Sequence, residues 1–317
     1  MMILLLIIGG GLLLFCGGEV LIRGAVALSR SLGLSPLVIG LTVVAYGTSM
    51  PELVVSVKAA LDGFPGLVLG NAIGSNMSNI LLVLGATAII YPLKSDKRMV
   101  NLDVVFLLAI TMCFFLFSFK QVIDMSTSII FLIAVVGYTF ITFRSAKRGN
   151  SHGPEEQTEE IEEQLNVNLS LPMAILAVIL GVGLLVVGAD LFIDGAVQGA
   201  RLFGISETTI GLTLVAFGTS APELATSVVA AFRKHSDIAL GNVVGSSIFN
   251  IAAILGVSGL ISPLTIEDKL IAFDIPILLF TTIALLILLK HAHKISRAWG
   301  VVFCLGYTAY IAAQAGF

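Results

Sequence analysis

The chain has 317 residues, 57% hydrophobic and 12% charged, with a mean hydropathy of +1.04. A soluble domain carries about a quarter charged residues, so a water-soluble globule of ordinary composition is excluded. Seventeen basic and twenty acidic side chains leave a formal charge of −3 with no large basic face, which excludes a nucleic-acid-binding surface as well.

Crossing a bilayer core takes about 20 apolar residues of helix, and the sequence predicts ten such stretches. They cover residues 2–28, 35–61, 66–91, 100–119, 122–143, 171–200, 206–232, 237–262, 270–289 and 298–316. No basic flank precedes residues 2–16 and no small-residue cleavage site follows them, so they predict a retained first span rather than a leader. Cys16, Cys113 and Cys304 stand alone in apolar runs and predict neither a disulfide nor a zinc site. Between the fifth and sixth stretches, Arg144, Lys147 and Arg148 precede Glu155, Glu156, Glu159, Glu160, Glu162 and Glu163. Lacking the glycine turn and alternating ligands of an EF-hand loop, segment 144–170 reads as a solvated acidic linker.

The parts on either side of this linker repeat each other at an offset of 171 residues. GLTVVAYGTSMPELVVS (40–56) matches GLTLVAFGTSAPELATS (211–227) at 12 of 17 positions, and LGNAIGSNMSN (69–79) matches LGNVVGSSIFN (240–250) at 6 of 11. The offset holds without a gap through Glu19/Asp190, Gly24/Gly195, Pro92/Pro263 and Asp103/Asp274, a register that unrelated apolar helices do not keep. The expected organisation is a first repeat over 1–143, the linker, and a second repeat over 171–317. Five helices per half is an odd number, so the second half enters the membrane from the opposite side: an all-α integral membrane protein of ten helices in two inverted-topology repeats. Segments at and after helices 1, 3, 5, 7 and 9 hold the basic residues except Lys58, Lys120, Arg201 and Lys269. By the positive-inside rule the linker is cytoplasmic and both termini lie outside; the membrane expected is the plasma (cell inner) membrane.

Glu52 and Glu223 fall well inside helices 2 and 7, where an ionised carboxylate costs about 2.5–3.5 kcal/mol on insertion scales. No Lys or Arg lies at that depth, which leaves a bound cation or a proton as the counter-charge. Pro51 and Pro222 precede the acids, with Gly47 and Gly218 four residues earlier, where a proline clashes with the helix carbonyl. A kinked or opened helix is expected there, with carbonyl oxygens freed. Such carbonyls are tolerated at membrane depth where something coordinates them. Thr48 and Ser49 share the face of Glu52, as Thr219 and Ser220 share that of Glu223. In helices 3 and 8, Asn71, Ser75, Asn79 and their twins Asn242, Ser246, Asn250 recur every four residues as a polar stripe. Ser75, Asn79, Ser246 and Asn250 are read as ligands. Asn71 and Asn242, next to glycine, are read as helix-to-helix glue or a helix-end bond. Two carboxylates with hydroxyls and carbonyls form the hard oxygen set that suits Ca²⁺ and equally Na⁺. The absence of His, Cys or Met from the stripes argues against softer metals. Glu19 and Asp190 lie in glycine-rich stretches with Arg23 and Asp194 one turn on; they read as interfacial or packing residues, with the lining of an ion path as the alternative.

With these motifs, GTSMPE (47–52), GTSAPE (218–223), GNAIGSNMSN (70–79) and GNVVGSSIFN (241–250), the chain resembles the sodium/calcium exchanger group of the cation/calcium antiporter superfamily, prokaryotic type. The resemblance implies a core of helices 2, 3, 7 and 8, with long helices 1 and 6 sliding past it. It implies a Ca²⁺ site of Glu52, Glu223 and the backbone oxygens of Thr48 and Thr219. Flanking Na⁺ sites would use Ala45, Ser49, Ser75, Ala216, Ser220 and Ser246, with Asn79 and Asn250 near the middle. Many members carry Asp where this chain has Asn250, which bears on the number of Na⁺ bound. The function expected is secondary antiport of Na⁺ against Ca²⁺ by alternating access. No enzymatic step, cofactor or obligate protein partner is expected, only the two ions as substrates and the lipid bilayer. An H⁺/Ca²⁺ antiporter is the alternative. A cation channel and an intramembrane enzyme fit less well, since inverted symmetry favours alternating access and no nucleophile or cofactor loop accompanies the glutamates.

Overall fold

The computed structural model of the chain describes residues 2–148, 169–202 and 216–314. Among these residues the helices form ten rods. The first half supplies α1 (Met2–Leu32), α2 (Pro36–Thr48, resumed as Met50–Leu61), α3 (Pro65–Ile90), α4 (Lys97–Ser118) and α5 (Met125–Arg148). The second supplies α6 (Leu171–Leu202), α7 (Ala216–Thr219, resumed as Ala221–Phe232), α8 (Ser236–Ile261), α9 (Leu270–Ala292) and α10 (Arg297–Gln314). Seven of the described rods are long and apolar enough to cross a membrane, eight when the two limbs of α2 count as one bent span. The chain is thus an all-α membrane protein. The described part of α7 is too short for that test, and α10 does not pass it. Helix α1 runs four residues past its expected end, and α5 continues into the expected linker. The acidic run and the beginning of the seventh stretch lie outside the described residues.

Helices α1 and α6 pack antiparallel along a glycine seam. A Cβ on Gly10 would stand 2.5 Å from the backbone nitrogen of Phe192, one on Gly17 2.9 Å from that of Leu185, and one on Gly24 2.8 Å from that of Val178. Their twins Gly181, Gly188 and Gly195 meet Leu21, Leu14 and Leu6–Ile7 as closely. Backbones approach this near only where the side chain is a hydrogen. The seven-residue spacing of both glycine rows returns each to the same helix face.

The pair α1 and α6 lies outermost, and α3 and α8 lie innermost: 83% of the apolar window of α8 is buried against 17% of that of α1. π-helical turns interrupt the rods at Gly40–Val44, Ser78–Val83, Val100–Val104, Asn250–Ile254 and Leu270–Asp274. Nothing in the sequence pattern announced them. Four of the five fall into twin pairs, so the duplication carried them along, and such turns collect at functional positions.

Two short ribbons tie the periphery together. Strand β1 (Leu93–Lys94), after α3, pairs antiparallel with β4 (Lys294–Ile295), after α9. Strand β2 (Val122–Ile123), after α4, pairs with β3 (Leu264–Thr265), after α8. Each ribbon takes one strand from either half. The buried twin acids Asp103 and Asp274 each accept a tyrosine hydroxyl from the following helix, Tyr138 at 2.9 Å and Tyr310 at 2.8 Å, which satisfies them within α4–α5 and α9–α10.

Candidate functional site

Both halves break a helix at the same place. Ser49 (φ −86°, ψ 7°) and Ser220 (φ −86°, ψ 3°) leave helical geometry with almost identical dihedrals, and α2 bends by 45° there. Pro51 and Pro222 enter the second limb at its first turn, where their missing N–H removes no helical bond. Glu52 and Glu223 stand in that same first turn. The exposed N–H groups of a helix start favour negative charge, so the kink gives each acid a local field that a continuous helix would deny it.

Both carboxylates are wholly buried, and the charge of Glu223 acts directly on Glu52. Among the described residues neither joins an ion pair. Both oxygens of Glu52 and Oε2 of Glu223 have no hydrogen-bond partner, and the same holds for Ser220 Oγ and both side-chain atoms of Asn79 and Asn250. Buried polar groups in folded proteins are almost always partnered. Three orphaned carboxylate oxygens on two adjoining buried acids therefore form a candidate cradle for a ligand that the chain itself does not supply. The donors are carboxylate, amide and hydroxyl, and no group of three or more His, Cys, Asp or Glu assembles among the described residues, so the set is one for a hard cation.

The two acids are treated unequally. Ser49 Oγ donates to Glu223 Oε1 at 2.8 Å. Ser246 Oγ donates to the carbonyl of Ala45 (3.2 Å), and the single proton of Thr48 Oγ1 is within reach of either that carbonyl (3.2 Å) or Asn242 Oδ1 (3.1 Å). Around Glu52 the equivalent bonds are missing: Ser220 Oγ is unpartnered and Thr219 is only half-buried. Thr219 instead lines a cavity of about 450 Å³ with Pro51, Val55, Pro222, Asp190 and Asp194, between α6 and the broken helices. At the twin position between α1 and α7 the gap is closed, since a Cβ on Gly18 would lie 3.0 Å from Val229 Cγ2 and 3.4 Å from the carbonyl of Ala225.

Of the predicted ligands, Ala45, Thr48, Ser49, Glu52, Ser75, Asn79, Ser220, Glu223, Ser246 and Asn250 are buried and lie on α2, α3, α7 and α8. Ala216 opens the described part of α7. Asn79 and Asn250 sit inside π turns. Asn71 Nδ2 donates to the carbonyl of Glu52 (3.0 Å) and to Ser56 Oγ (2.8 Å), and Asn242 Nδ2 to the carbonyl of Glu223 (3.4 Å) and Ser227 Oγ (3.0 Å). These twin asparagines tether α3 to α2 and α8 to α7 immediately behind each acid. Ser56 and Ser227, the acceptors of these tethers, carry no charge or proline to mark them in the sequence; their one signal is that they are the last identity of the duplicated 17-residue block.

The sodium/calcium exchanger protein family matches residues 2–144 and 173–316. The chain belongs to that family. This exchanger is 33% identical over 338 residues to the sodium/calcium exchanger MaX1 of Methanosarcina acetivorans, covering 97% of each chain. It is 33% identical over 310 residues to the inner membrane protein YrbG of Escherichia coli, covering 97% of the exchanger and 95% of YrbG. Among solved structures, the sodium-calcium exchanger NCX_Mj soaked with 2.5 mM Na⁺ and 1 mM Sr²⁺ superposes with a TM-score of 0.84 at 34% identity, covering 98% of both chains. The exchanger is accordingly a multi-pass integral membrane protein of a transporter family, one that carries ions as substrates and uses no cofactor.

Proposed function

We propose that this exchanger is a secondary antiporter that moves Ca²⁺ against Na⁺ by alternating access. The observation that carries the reading is the adjoining buried pair Glu52 and Glu223, with three of four carboxylate oxygens unpartnered. Their charge of −2 balances one Ca²⁺, whose 6–8 oxygen ligands at about 2.3–2.6 Å are available from the two carboxylates, the backbone oxygens of Thr48 and Thr219, and the neighbouring amides. Ala45, Ser49, Ser75, Ala216, Ser220 and Ser246, with Asn79 and Asn250 between them, supply flanking oxygens for Na⁺. Several Na⁺ competing for oxygens that one Ca²⁺ uses couples the two fluxes, because the site cannot satisfy both occupants at once. The likeness to MaX1, a sodium/calcium exchanger, supports Na⁺ as the coupling ion.

The architecture proposed is ten spans in two inverted five-helix repeats, over 1–143 and 171–317, with 144–170 as a cytoplasmic linker and both termini outside. The ribbons support it: they join the loops after helices 3 and 9, and the loops after helices 4 and 8, odd with odd and even with even as inversion requires. The cavity beside Thr219 then opens outward, and the packed seam of α1 on α7 closes the inward route. Sliding of the glycine-joined pair α1–α6 against the core would exchange the two.

Flux of radioactive Ca²⁺ into proteoliposomes under imposed Na⁺, K⁺ and H⁺ gradients, each applied alone, tests the coupling. A Na⁺ gradient is expected to drive uptake. Uptake driven by a pH gradient alone would replace the reading with H⁺/Ca²⁺ antiport.

A further inference from the structure

The two access routes are related by the repeat but differ in charge. At the inward route Glu19 of α1 accepts a hydrogen bond from Arg23 Nε, one turn on, at 2.8 Å. It accepts another from Arg233 Nε at 3.0 Å and pairs with Arg233 Nη2 as well. Arg233 caps the end of α7, so this contact joins a mobile helix to the core across 214 residues of sequence. The carboxylate is shielded, its side chain 16% exposed, while Arg233 is 40% exposed. At the outward route the repeat puts Asp190 in place of Glu19, Asp194 in place of Arg23, and Asp62 in place of Arg233. Asp190 and Asp194 both line the open cavity. One route carries a carboxylate clamped by two guanidiniums, and the other carries acids at all three positions.

We infer that the Glu19–Arg233 pair is a one-sided latch, holding α1 against α7 and biasing the empty transporter toward the outward-facing state. The inference rests on the alternating-access reading. An inverted repeat with equal gates would leave the two states close in free energy, so a contact made in one state alone shifts their populations by its full strength. Like charges at the twin position supply no opposing latch when the outward route closes. Opening inward separates Glu19 from Arg233, while Arg23, on the same helix as Glu19, travels with it. The latch therefore lies in the interhelical pair.

The test uses full-length protein with Cys16, Cys113 and Cys304 replaced by serine, reconstituted in proteoliposomes. One reporter is Val55→Cys in the outward cavity and the other is its buried twin position, Thr226→Cys. Labelling by a membrane-impermeant maleimide from either side, with Ca²⁺, Na⁺ or neither present, reads which route is open. With the latch intact, Val55→Cys labels quickly from outside and Thr226→Cys slowly from inside. Arg233→Gln and Glu19→Gln are each expected to slow labelling of Val55→Cys and speed that of Thr226→Cys, changing the ratio of the two rates by about three- to fivefold, the scale of a part-exposed ion pair. The exchanged pair Glu19→Arg with Arg233→Glu is expected to restore the wild-type pattern. Unchanged rates at both reporters in both single variants would overturn the latch. In that event, labelling of Val55→Cys that still responds to Ca²⁺ and Na⁺ keeps the antiporter reading, and labelling that ignores them removes it too.

Discussion

At the scale of single residues, the two glutamates are equivalent in sequence and unequal in the structure. Glu223 accepts from Ser49 while Glu52 has no partner, yet an ion held between them needs both charges. Removing one partner of a buried charge pair typically costs about 3–5 kcal/mol, so Glu52→Gln and Glu223→Gln are each expected to lower Na⁺-dependent Ca²⁺ uptake to about a hundredth of wild type or less. Uptake near the wild-type rate in either variant would show that the acid is not a ligand. The acids, their prolines and their hydroxyls were legible in the sequence because a buried charge and a proline are costly wherever the helix goes. The inequality between the acids was not legible, since it rests on a contact between the halves, Ser49 of one with Glu223 of the other, that leaves no local pattern. His235, at the start of α8, is 4% exposed with neither ring nitrogen partnered. Burial first, and then Arg233, pull its pKa down to about 4. An unfolded histidine titrates near 6.5, so the unfolded chain binds the extra proton first as pH falls. The contribution of neutral His235 is complete above about pH 6.5 and is lost on acidification toward pH 4, by up to about 3 kcal/mol. Thermal unfolding in detergent at pH 7.5 and 4.5 should show a larger loss for the wild type than for His235→Leu.

At the scale of elements, the sequence marked glycine-rich stretches in helices 1 and 6 but could not say which glycines matter. The structure separates them: Gly17 and Gly188 lie in the α1–α6 seam, Gly18 faces α7, and Gly183 meets nothing within 4 Å. A valine at Gly17 or Gly181 would drive side-chain atoms into the partner backbone, with an overpacking cost of about 1–3 kcal/mol. Gly17→Val and Gly181→Val should lower the unfolding temperature and the rate of exchange together, while Gly11→Ala and Gly183→Ala, in open space, should leave both near wild type. A seam variant as stable and active as these controls would mean that the close approach is not required. Element boundaries were read to within a few residues. The π turns were invisible because no residue preference encodes them. They add one residue per turn where tertiary packing demands it, and Asn79 and Asn250 inherit their placement from that shift.

At the scale of the whole molecule, the duplication was the most legible feature, since a constant offset of 171 residues needs no structural knowledge to find. The contacts between the copies were not legible, for pairing between residues far apart in sequence leaves no local pattern; Glu19 with Arg233 and Ser49 with Glu223 are two examples. Several contacts that fix the architecture have one member in each half: the glycine seam, both strand ribbons, the hydroxyl that holds Glu223, and the Arg233 clamp on Glu19. Each ribbon exchanges a strand with its counterpart, so neither half is self-sufficient, and each offers the surface the other lacks. If the halves are inverted as proposed, a lone half is complementary to an upside-down copy of itself. The simplest ancestor of such a molecule is a five-helix protein inserted in both orientations, whose two copies were later joined head to tail, after which mutations such as those at positions 23 and 233 were free to make its faces differ.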